Sequence, residues 1–223
     1  GVWEYEIEAE LMHEFLRNRS KGFAYTPIIA SGENANVLHY IANNMQCKDG
    51  DVILLDVGAE YANYSSDLTR MIPVNGKFTA RQKEIYNAVL DMKNFATSLL
   101  VPGNNWYDYH KECGEFYTSK FLELGLLDKA DVQNQDKNWP AYKKYMMHGT
   151  SHHLGLDTHD YGILKDKFVE NMVFTVEPGI YLPAEGFGVR IEDDMVIQNS
   201  GPAFNLMKNI PIEVEEIEEL MNS

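Results

Sequence analysis

Two carboxylates lie inside apolar segments of the sequence, where a folded core is expected. Asp56 occurs in VILLDVG and Glu177 in VFTVEPG, and most of their neighbours are β-branched or other apolar residues. Burying an unpaired carboxylate costs more free energy than the about 5–15 kcal/mol that stabilises a typical domain. Each of these carboxylates is therefore predicted to meet a cation in the folded protein.

A second acid follows each of the first two along the chain. Asp67 occurs in SSDLTRMIPV and Glu192 in GVRIEDDMVI. Both halves of the chain thus contain an apolar strand with one carboxylate, a turn, and a second strand with another. Two helix-plus-sheet halves related by a pseudo-twofold axis would bring the four acids together where the halves meet.

The sequence offers two kinds of cation to compensate these acids. Arg70 and Arg190 lie close in sequence to Asp67 and Glu192, so ion pairs are one explanation. Two arginines cannot neutralise four converging carboxylates, however, and carboxylates held together raise one another's pKa until one is protonated. Two divalent ions would balance the four charges, and such a pair can share a hydroxide that attacks a carbonyl group. The acids therefore favour a metal-dependent hydrolase.

Four of the seven histidines lie within twelve residues: His148, His152, His153 and His159. A lone histidine is more often structural than a metal ligand, but the acids favour a ligand role for at least one of these. The segment lacks the HExxH glutamate of a zinc-protease helix. In an extended segment His148 and His152 would lie on one face and His153 on the other. Oxygen-rich ligands with a single nitrogen favour manganese or cobalt over zinc.

The periodicity of apolar residues predicts the elements of the first half. Residues 3–19 form an amphipathic helix with Ile7, Leu11, Phe15 and Leu16 on one side. Short strands follow in TPIIASGE and VLHYI. Further strands lie in DVILLDVGAEY and SSDLTRMIPV.

The second half repeats this plan after two helices. Thr79 and Gln82 form a capping box that begins a helix running to about residue 100, and a second helix covers residues 106–124. Residues 126–144 are predicted to be a connecting excursion. Extended segments follow from residue 146, and the acidic EVEEIEELM forms a final helix.

Composition excludes several classes of protein. The chain has 223 residues, with 34 acidic and 19 basic side chains and a formal net charge of −15. This charge argues against a nucleic-acid or anionic-membrane surface, because phosphate binding needs a concentrated positive field. No apolar run reaches the about 18 residues that cross a bilayer. Cys47 and Cys113 are predicted to be reduced thiols, and no secretory signal is visible, so a cytoplasmic protein is expected.

Five motifs, in this order, resemble the pita-bread metallopeptidases, a family that includes methionine aminopeptidase, aminopeptidase P, prolidase and creatinase. The motifs are SGENANVLHY, LLDVGAEYANYSSDLTR, HGTSHHLGLDTHD, TVEPGIY and GVRIEDD. Essentially the whole chain is covered. GVRIEDD resembles the aminopeptidase P and prolidase branch, and the MHG and PVNGKFT segments are more similar to aminopeptidase P. The resemblance implies an α+β pita-bread fold, in which two pseudo-symmetric helix-plus-antiparallel-sheet halves surround a central metal site.

The resemblance also implies a set of metal ligands. These are Asp56, Asp67, His152, Glu177 and Glu192. Asp67 and Glu192 would bridge two ions, and the others would each bind one. Manganese is the expected metal, with cobalt and zinc as alternatives.

Further roles follow from the same resemblance. Glu177 would also be the base that takes a proton from a bridging water and passes it towards the leaving prolyl nitrogen. His148 and His159 would position the substrate and stabilise the oxyanion. The implied substrate-binding residues are His39, Tyr181 and Arg190. His153 departs from the family, because relatives often carry a bulky aromatic residue there.

The implied function is that of an Xaa-Pro aminopeptidase, which removes an N-terminal residue when proline follows. The alternatives are a prolidase restricted to dipeptides and a non-catalytic peptide-binding module of the same fold. The expected partner is a peptide with proline at the second position, and no nucleic acid or membrane. Residues 1–223 are expected to form one catalytic domain. Relatives of this branch usually carry an additional N-terminal domain, so this domain is expected to be the C-terminal part of a longer chain that could form homo-oligomers.

Overall fold

The structure, a computed structural model, describes all 223 residues. Its α-helices are α1 (Glu4–Arg17), α2 (Ala80–Ser98), α3 (Trp106–Glu123), α4 (Lys129–Gln133) and α5 (Val214–Met221). The strands of the first half are β1 (Gly22–Phe23), β2 (Ile28–Ser31), β3 (Val52–Asp56), β4 (Ala59–Tyr61), β5 (Tyr64–Ser65) and β6 (Thr69–Pro73). Those of the second half are β7 (Val173–Val176), β8 (Gly179–Leu182), β9 (Phe187–Arg190), β10 (Asp193–Val196) and β11 (Phe204–Asn205). Helices and antiparallel sheets thus follow one another in each half, as an α+β fold requires.

The first half is built on the antiparallel sheet β2-β3-β6. Strand β3 is its central member, and the partner of Asp56 is Ile28 on one side and Thr69 on the other. Strand β3 is paired on both edges, and four of its five residues are buried. Asp56, the last residue of this strand, therefore lies in the interior. A smaller sheet, β1-β4-β5, is formed by the segment before β2 and by the hairpin between β3 and β6.

The second half contains the sheet β7-β10-β11 and the hairpin β8-β9. Residues 150–154 run alongside β7 and bond to it at every second residue. Glu177 N donates to Thr150 O at 2.8 Å, and Thr175 N donates to His152 O at 3.0 Å. The edge of this sheet therefore holds the histidine segment in a nearly extended path, although only the pair His153 and Phe174 forms a regular bridge.

Isolated backbone bridges reveal the repeat. Trp3 pairs with Gln46, and Asn105 pairs with Lys167, in each case at the residue before a helix begins. Asp56 follows Gln46 by ten residues, and Glu177 follows Lys167 by ten. The predicted duplication is therefore visible in the backbone, with Asn105, and not the tryptophan after it, at the position equivalent to Trp3.

The two halves share one hydrophobic core and are joined by one backbone β-bridge. A single cluster of 34 buried residues includes side chains from both halves, such as Leu54 and Val176. Across the seam, Glu192 N donates to Thr69 O at 3.1 Å. The seam is thus a backbone contact between β6 and the turn that joins β9 to β10, and it brings together the segments that carry the second acid of each half.

The helix predictions are confirmed, with one exception in detail. The capping box of Thr79 and Gln82 begins α2, and α3 and α5 lie where the periodicity predicts them. In α1, Ile7, Leu11 and Phe15 pack on a small cluster around Ile29, but Leu16 is 53% exposed. The apolar face of α1 is therefore narrower than predicted.

Two strand predictions are wrong. The VLHYI segment is a bend and turn that follows a 3₁₀ helix at Gly32–Asn36. It pairs with no strand, and the Tyr40 hydroxyl donates to Glu4 Oε2 of α1. The histidine segment HGTSHHLGLDTHD is irregular apart from its bonds to β7, whereas the extended segments predicted after it are confirmed as β7 to β10. The excursion 126–144 contains α4 and a 3₁₀ turn at Ala141–Lys144. No helix combines the length and the apolarity that a bilayer span requires.

The end of α1 generates a stability prediction. Arg19 has a φ of 71°, and its N–H donates to Leu16 O while Ser20 N–H donates to Phe15 O, the bonds of a Schellman motif. This left-handed conformation suits glycine and strains an L-residue. We expect Arg19→Gly to raise the free energy of unfolding by about 1 kcal/mol. Arg19→Ala removes the same charge but keeps the strain. Urea unfolding in which Arg19→Ala stabilises as much as Arg19→Gly would contradict this explanation.

Candidate metal centre

A cavity of about 880 Å³ lies at the seam between the halves. Nine of the ten predicted site residues line it, and the tenth, Tyr181, lies directly behind it. The nine are His39, Asp56, Asp67, His148, His152, His159, Glu177, Arg190 and Glu192. The fold therefore brings together residues that are up to 153 positions apart in the sequence.

The four acids enter this cavity from strand ends. Asp56 is the last residue of β3 and Glu177 follows β7, so the two halves present them at equivalent places. Asp67 precedes β6, and Glu192 lies between β9 and β10. Backbone pairing therefore fixes all four, and Asp56, Asp67 and Glu192 are each less than 9% exposed.

The donor atoms of Asp67, His152 and Glu192 all lie within 4.8 Å of one another. The Nε2 atom of His152 is 3.4 Å from Asp67 Oδ2 and 3.5 Å from Glu177 Oε1. Asp56 joins the group on its other side, through Tyr25. Carboxylate oxygens with one imidazole nitrogen are ligands for a hard or borderline divalent cation. The residues present thus fit a divalent-metal site.

The pKa values show how little positive charge the protein itself provides to the acids. Burial raises the pKa of Glu177 to about 7, and burial together with Asp67 raises that of Glu192 well above its ordinary value. Burial also raises the pKa of Asp56, although Arg190 opposes it. Arg190 is the only arginine or lysine in an ion pair with any of the four. A bound cation would compensate these buried negative charges and favour the ionised carboxylates.

Sequence reasoning missed Tyr25, which joins two of the acids. Its hydroxyl lies 2.5 Å from Asp56 Oδ1 and 2.5 Å from Asp67 Oδ1. A hydroxyl has one proton and can donate to only one of the two at a time. Burial, followed by the charge of Asp56, raises the pKa of Tyr25 well above its usual value. The phenol therefore stays protonated between two carboxylates, and nothing in the KGFAYTP context signals this role.

Arg190 begins a chain of hydrogen bonds behind the acids. It binds Asp56 through Nη2 at 2.5 Å and donates from Nη1 to the Tyr181 hydroxyl at 2.9 Å. The Tyr181 hydroxyl is 2.7 Å from His148 Nε2, and His148 Nδ1 is 2.8 Å from Gly149 O. This pattern fits a neutral His148 that accepts from Tyr181 and donates to the backbone. Burial and the charge of Arg190 lower the pKa of His148 to about 3, consistent with that form.

The remaining histidines divide between the cavity and the core. Burial lowers the pKa of His152, but Asp67 and Glu177 outweigh it and raise the pKa to about 8. The ring of His159 lies edge-on to that of His152, at 4.4 Å between centroids, and is exposed to the cavity. His153 points the other way and packs on Trp106 and Phe174. The predicted division of His152 and His153 between opposite faces is therefore observed.

Arg70 forms no ion pair with the four acids of the cavity. Its Nη1 donates to Thr69 O at 3.0 Å and to Glu192 O at 2.8 Å, while Nη2 binds Asp193. Lys93 binds the second oxygen of Asp193 at 2.5 Å. The sequence-based ion pair between Arg70 and Asp67 is wrong, because alternation along β6 and β10 directs these side chains away from the cavity. Arg70 instead binds the carbonyl groups of the two residues that form the seam.

The model of metallopeptidase family M24 matches residues 1–199. The Xaa-Pro aminopeptidase of Haemophilus influenzae is 43% identical over 99% of this chain and 53% of the relative, and the Xaa-Pro dipeptidase of Mus musculus is 35% identical over 99% and 54%. A zinc-substituted Escherichia coli aminopeptidase P in complex with product superposes with a TM-score of 0.91 and 39% identity, over 100% of this chain and 52% of that one. The same Escherichia coli protein has also been solved with the inhibitor Pro-Leu. The chain thus spans about half the length of the relatives it matches.

The buried group around Asp193 generates a second prediction. Asp193→Asn leaves the charges of Arg70 and Lys93 buried without a counter-charge, so we expect a loss of about 3–5 kcal/mol in the free energy of unfolding. Urea unfolding with a chelator present measures this without a contribution from bound metal. Glu84→Gln, which removes an exposed partner of Arg81, is the control and should cost less than about 1 kcal/mol. Equal losses in the two variants would refute the account.

Proposed function

The chain belongs to metallopeptidase family M24, and from this membership we propose that the protein is a metal-dependent aminopeptidase that cleaves the bond between an N-terminal residue and a following proline. The observation that carries the proposal is the convergence of five potential ligands on one cavity, two acids from each half and His152. The names of the relatives support the specificity for proline. Asp67, His152 and Glu192 are also the one group of His, Cys, Asp and Glu side chains whose donor atoms lie close enough together to hold an ion.

We assign the ligands as the resemblance implies. Asp67 and Glu192 would be shared by two ions. In support, the two side chains come from opposite sides of the seam, and their carboxylate oxygens lie within 4.8 Å of each other. Asp56 would complete one ion, and His152 with Glu177 the other. When bound, two divalent ions, manganese in our proposal, would supply Lewis acidity and a water of lowered pKa.

The protein's own groups would then manage the protons. The Glu177 carboxylate lines the cavity, with Oε1 3.5 Å from His152 Nε2 and Oε2 3.7 Å from His148 Nδ1. It would accept a proton from the attacking water and deliver it to the leaving prolyl nitrogen. Arg190 would keep Asp56 ionised and oriented, since it contributes the only ion pair from an arginine or lysine to the four acids.

Three histidines would handle the peptide. The ring nitrogens of His159 have no hydrogen-bond partner in the protein and the ring is exposed to the cavity, so it can bind the substrate carbonyl directly. Both nitrogens of His148 are engaged in hydrogen bonds, which supports a role in which Tyr181 fixes the ring beside the substrate. His39 also lines the cavity. These groups would orient the tertiary amide that proline forms.

A matched set of peptides tests the proposal. With manganese bound, the protein is expected to release the first residue from a tripeptide of the form Xaa-Pro-Xaa and to leave the Xaa-Ala-Xaa analogue intact, as measured by chromatography of the products. Turnover restricted to the Xaa-Pro dipeptide would show a prolidase instead. Manganese binding without turnover of any of these peptides would favour a peptide-binding module.

The role of Glu177 generates a separate prediction. Glu177→Ala removes the proposed base, so kcat should fall by at least about a hundredfold. The thermal midpoint of the chelated protein should not fall much, since losing one of several repelling acids relieves repulsion. Glu170→Ala, at an exposed position, is the control and should be fully active. A Glu177→Ala variant with near-normal kcat would rule out this assignment.

A further inference from the structure

Glu4 is a completely buried carboxylate that has no place in the chemistry above. It is 0% exposed, although it lies in the first turn of α1, where a solvent-facing acid is usual. No lysine, arginine or histidine forms an ion pair with it. A buried charge without a counter-ion requires strong hydrogen bonding, so its partners indicate what it does.

Four donors surround the carboxylate, two on each oxygen. Oε1 accepts from Ser31 N at 2.9 Å and from Asn34 Nδ2 at 2.9 Å. Oε2 accepts from the Tyr40 hydroxyl at 2.8 Å and from Met45 N at 2.9 Å. All four donors belong to residues 31–45, so a single side chain of α1 binds this segment near both its ends and at Tyr40.

Glu8, one helical turn later, extends the same contact. Its Oε2 accepts from Asn43 Nδ2 at 2.8 Å, and Asn43 also bonds to Pro27 O and Ile29 N. Asn43 is 3% exposed and has a φ of 45°. Glu4 and Glu8 therefore lie on one face of α1, and this face binds residues 40–45 through hydrogen bonds.

The segment bound in this way forms one wall of the catalytic cavity. Leu38, His39 and Ile41 line the cavity, and residues 37–45 belong to no strand or helix. Their internal backbone bonds are few: Tyr40 N donates to Val37 O, and no other such bond begins within residues 38–45. The path of the chain at His39 therefore depends on the anchors on either side, and Tyr40, the nearest, is held by Glu4.

We propose that Glu4 is a positioning residue for His39: through Tyr40 it sets where this imidazole stands in the cavity. The proposal rests on the function proposed above in so far as His39 contacts the peptide. The alternative is that Glu4 only stabilises the fold. The two differ in whether the effect of Glu4 on turnover passes through His39.

A double-mutant cycle separates the two explanations. Glu4→Gln keeps the shape of the side chain but replaces one carboxylate oxygen by an NH2 group. This group cannot accept a hydrogen bond, so at least one of the four donors loses its partner. We expect kcat/KM for the Xaa-Pro tripeptide to fall by about 10- to 100-fold in this variant, as for a displacement of a positioning group by about 1 Å. Adding Glu4→Gln to His39→Ala should cost less than about twofold more than His39→Ala alone. Glu10→Gln, the same change at an exposed position of α1, is the control and should match the unmodified protein.

Two further readouts keep the inference apart from the proposed function. Bound manganese should be unchanged in Glu4→Gln, because no proposed ligand lies on residues 31–45. Hydrogen exchange of residues 37–45 should rise in Glu4→Gln and not in Glu10→Gln. Independent, multiplicative losses in the cycle, normal turnover in Glu4→Gln, or unchanged exchange would each overturn the inference. If the unmodified protein cleaves no Xaa-Pro peptide, the proposed function fails, and the exchange measurement alone then decides whether Glu4 fixes the segment.

Discussion

The arrangement of the whole molecule depends on four carboxylates that share an interior cavity with a single arginine. Buried acids of like charge repel, and burial, with a smaller contribution from the neighbouring carboxylates, raises the pKa values of Asp56, Glu177 and Glu192. The fold holds the acids together nonetheless, because each is attached to the end of a paired strand. The backbone thus supplies the geometry, and compensation of the charge is left to Arg190, to the hydroxyl of Tyr25 and to divalent cations.

The surroundings of the cavity are organised to keep this geometry rigid. On the side away from the cavity, Arg70 donates to the carbonyl oxygens of Thr69 and Glu192, and Asp193 forms an ion pair with Arg70. On the cavity side, Thr69 Oγ1 donates to Glu192 Oε2 at 2.6 Å. One face of the seam therefore carries the carboxylates of the cavity, and the other carries the ion pairs of Asp193 with Arg70 and Lys93. A change of register by one residue would exchange the two faces.

Much of this was predictable from the sequence, because strands with embedded acids obey a simple alternation. Asp56 and Glu177 can be recognised from the sequence, since each is a charged residue in an apolar segment. The capping box of α2 can also be recognised, because it depends on residues only three positions apart. The path of residues 37–45 was not predictable. VLHYI reads as a strand, but Tyr40 and Asn43 bond to Glu4 and Glu8 of α1, which lies far away in the sequence. Glu4 itself resembles any acid at a helix start. Tyr25 and the direction of Arg70 depend on how sheets pack, which a pattern of residue types does not contain.

The equivalence of the bridges at Trp3 and Asn105 has a consequence for the ancestry of the fold. Each half contributes the same number of acids from the same places, so neither half alone could assemble the quartet. A polypeptide of half this length would have obtained it by self-association about a twofold axis. Fusion of two such copies would then have freed them to diverge, which accounts for a histidine-rich edge in one half where the other has the buried apolar strand β2.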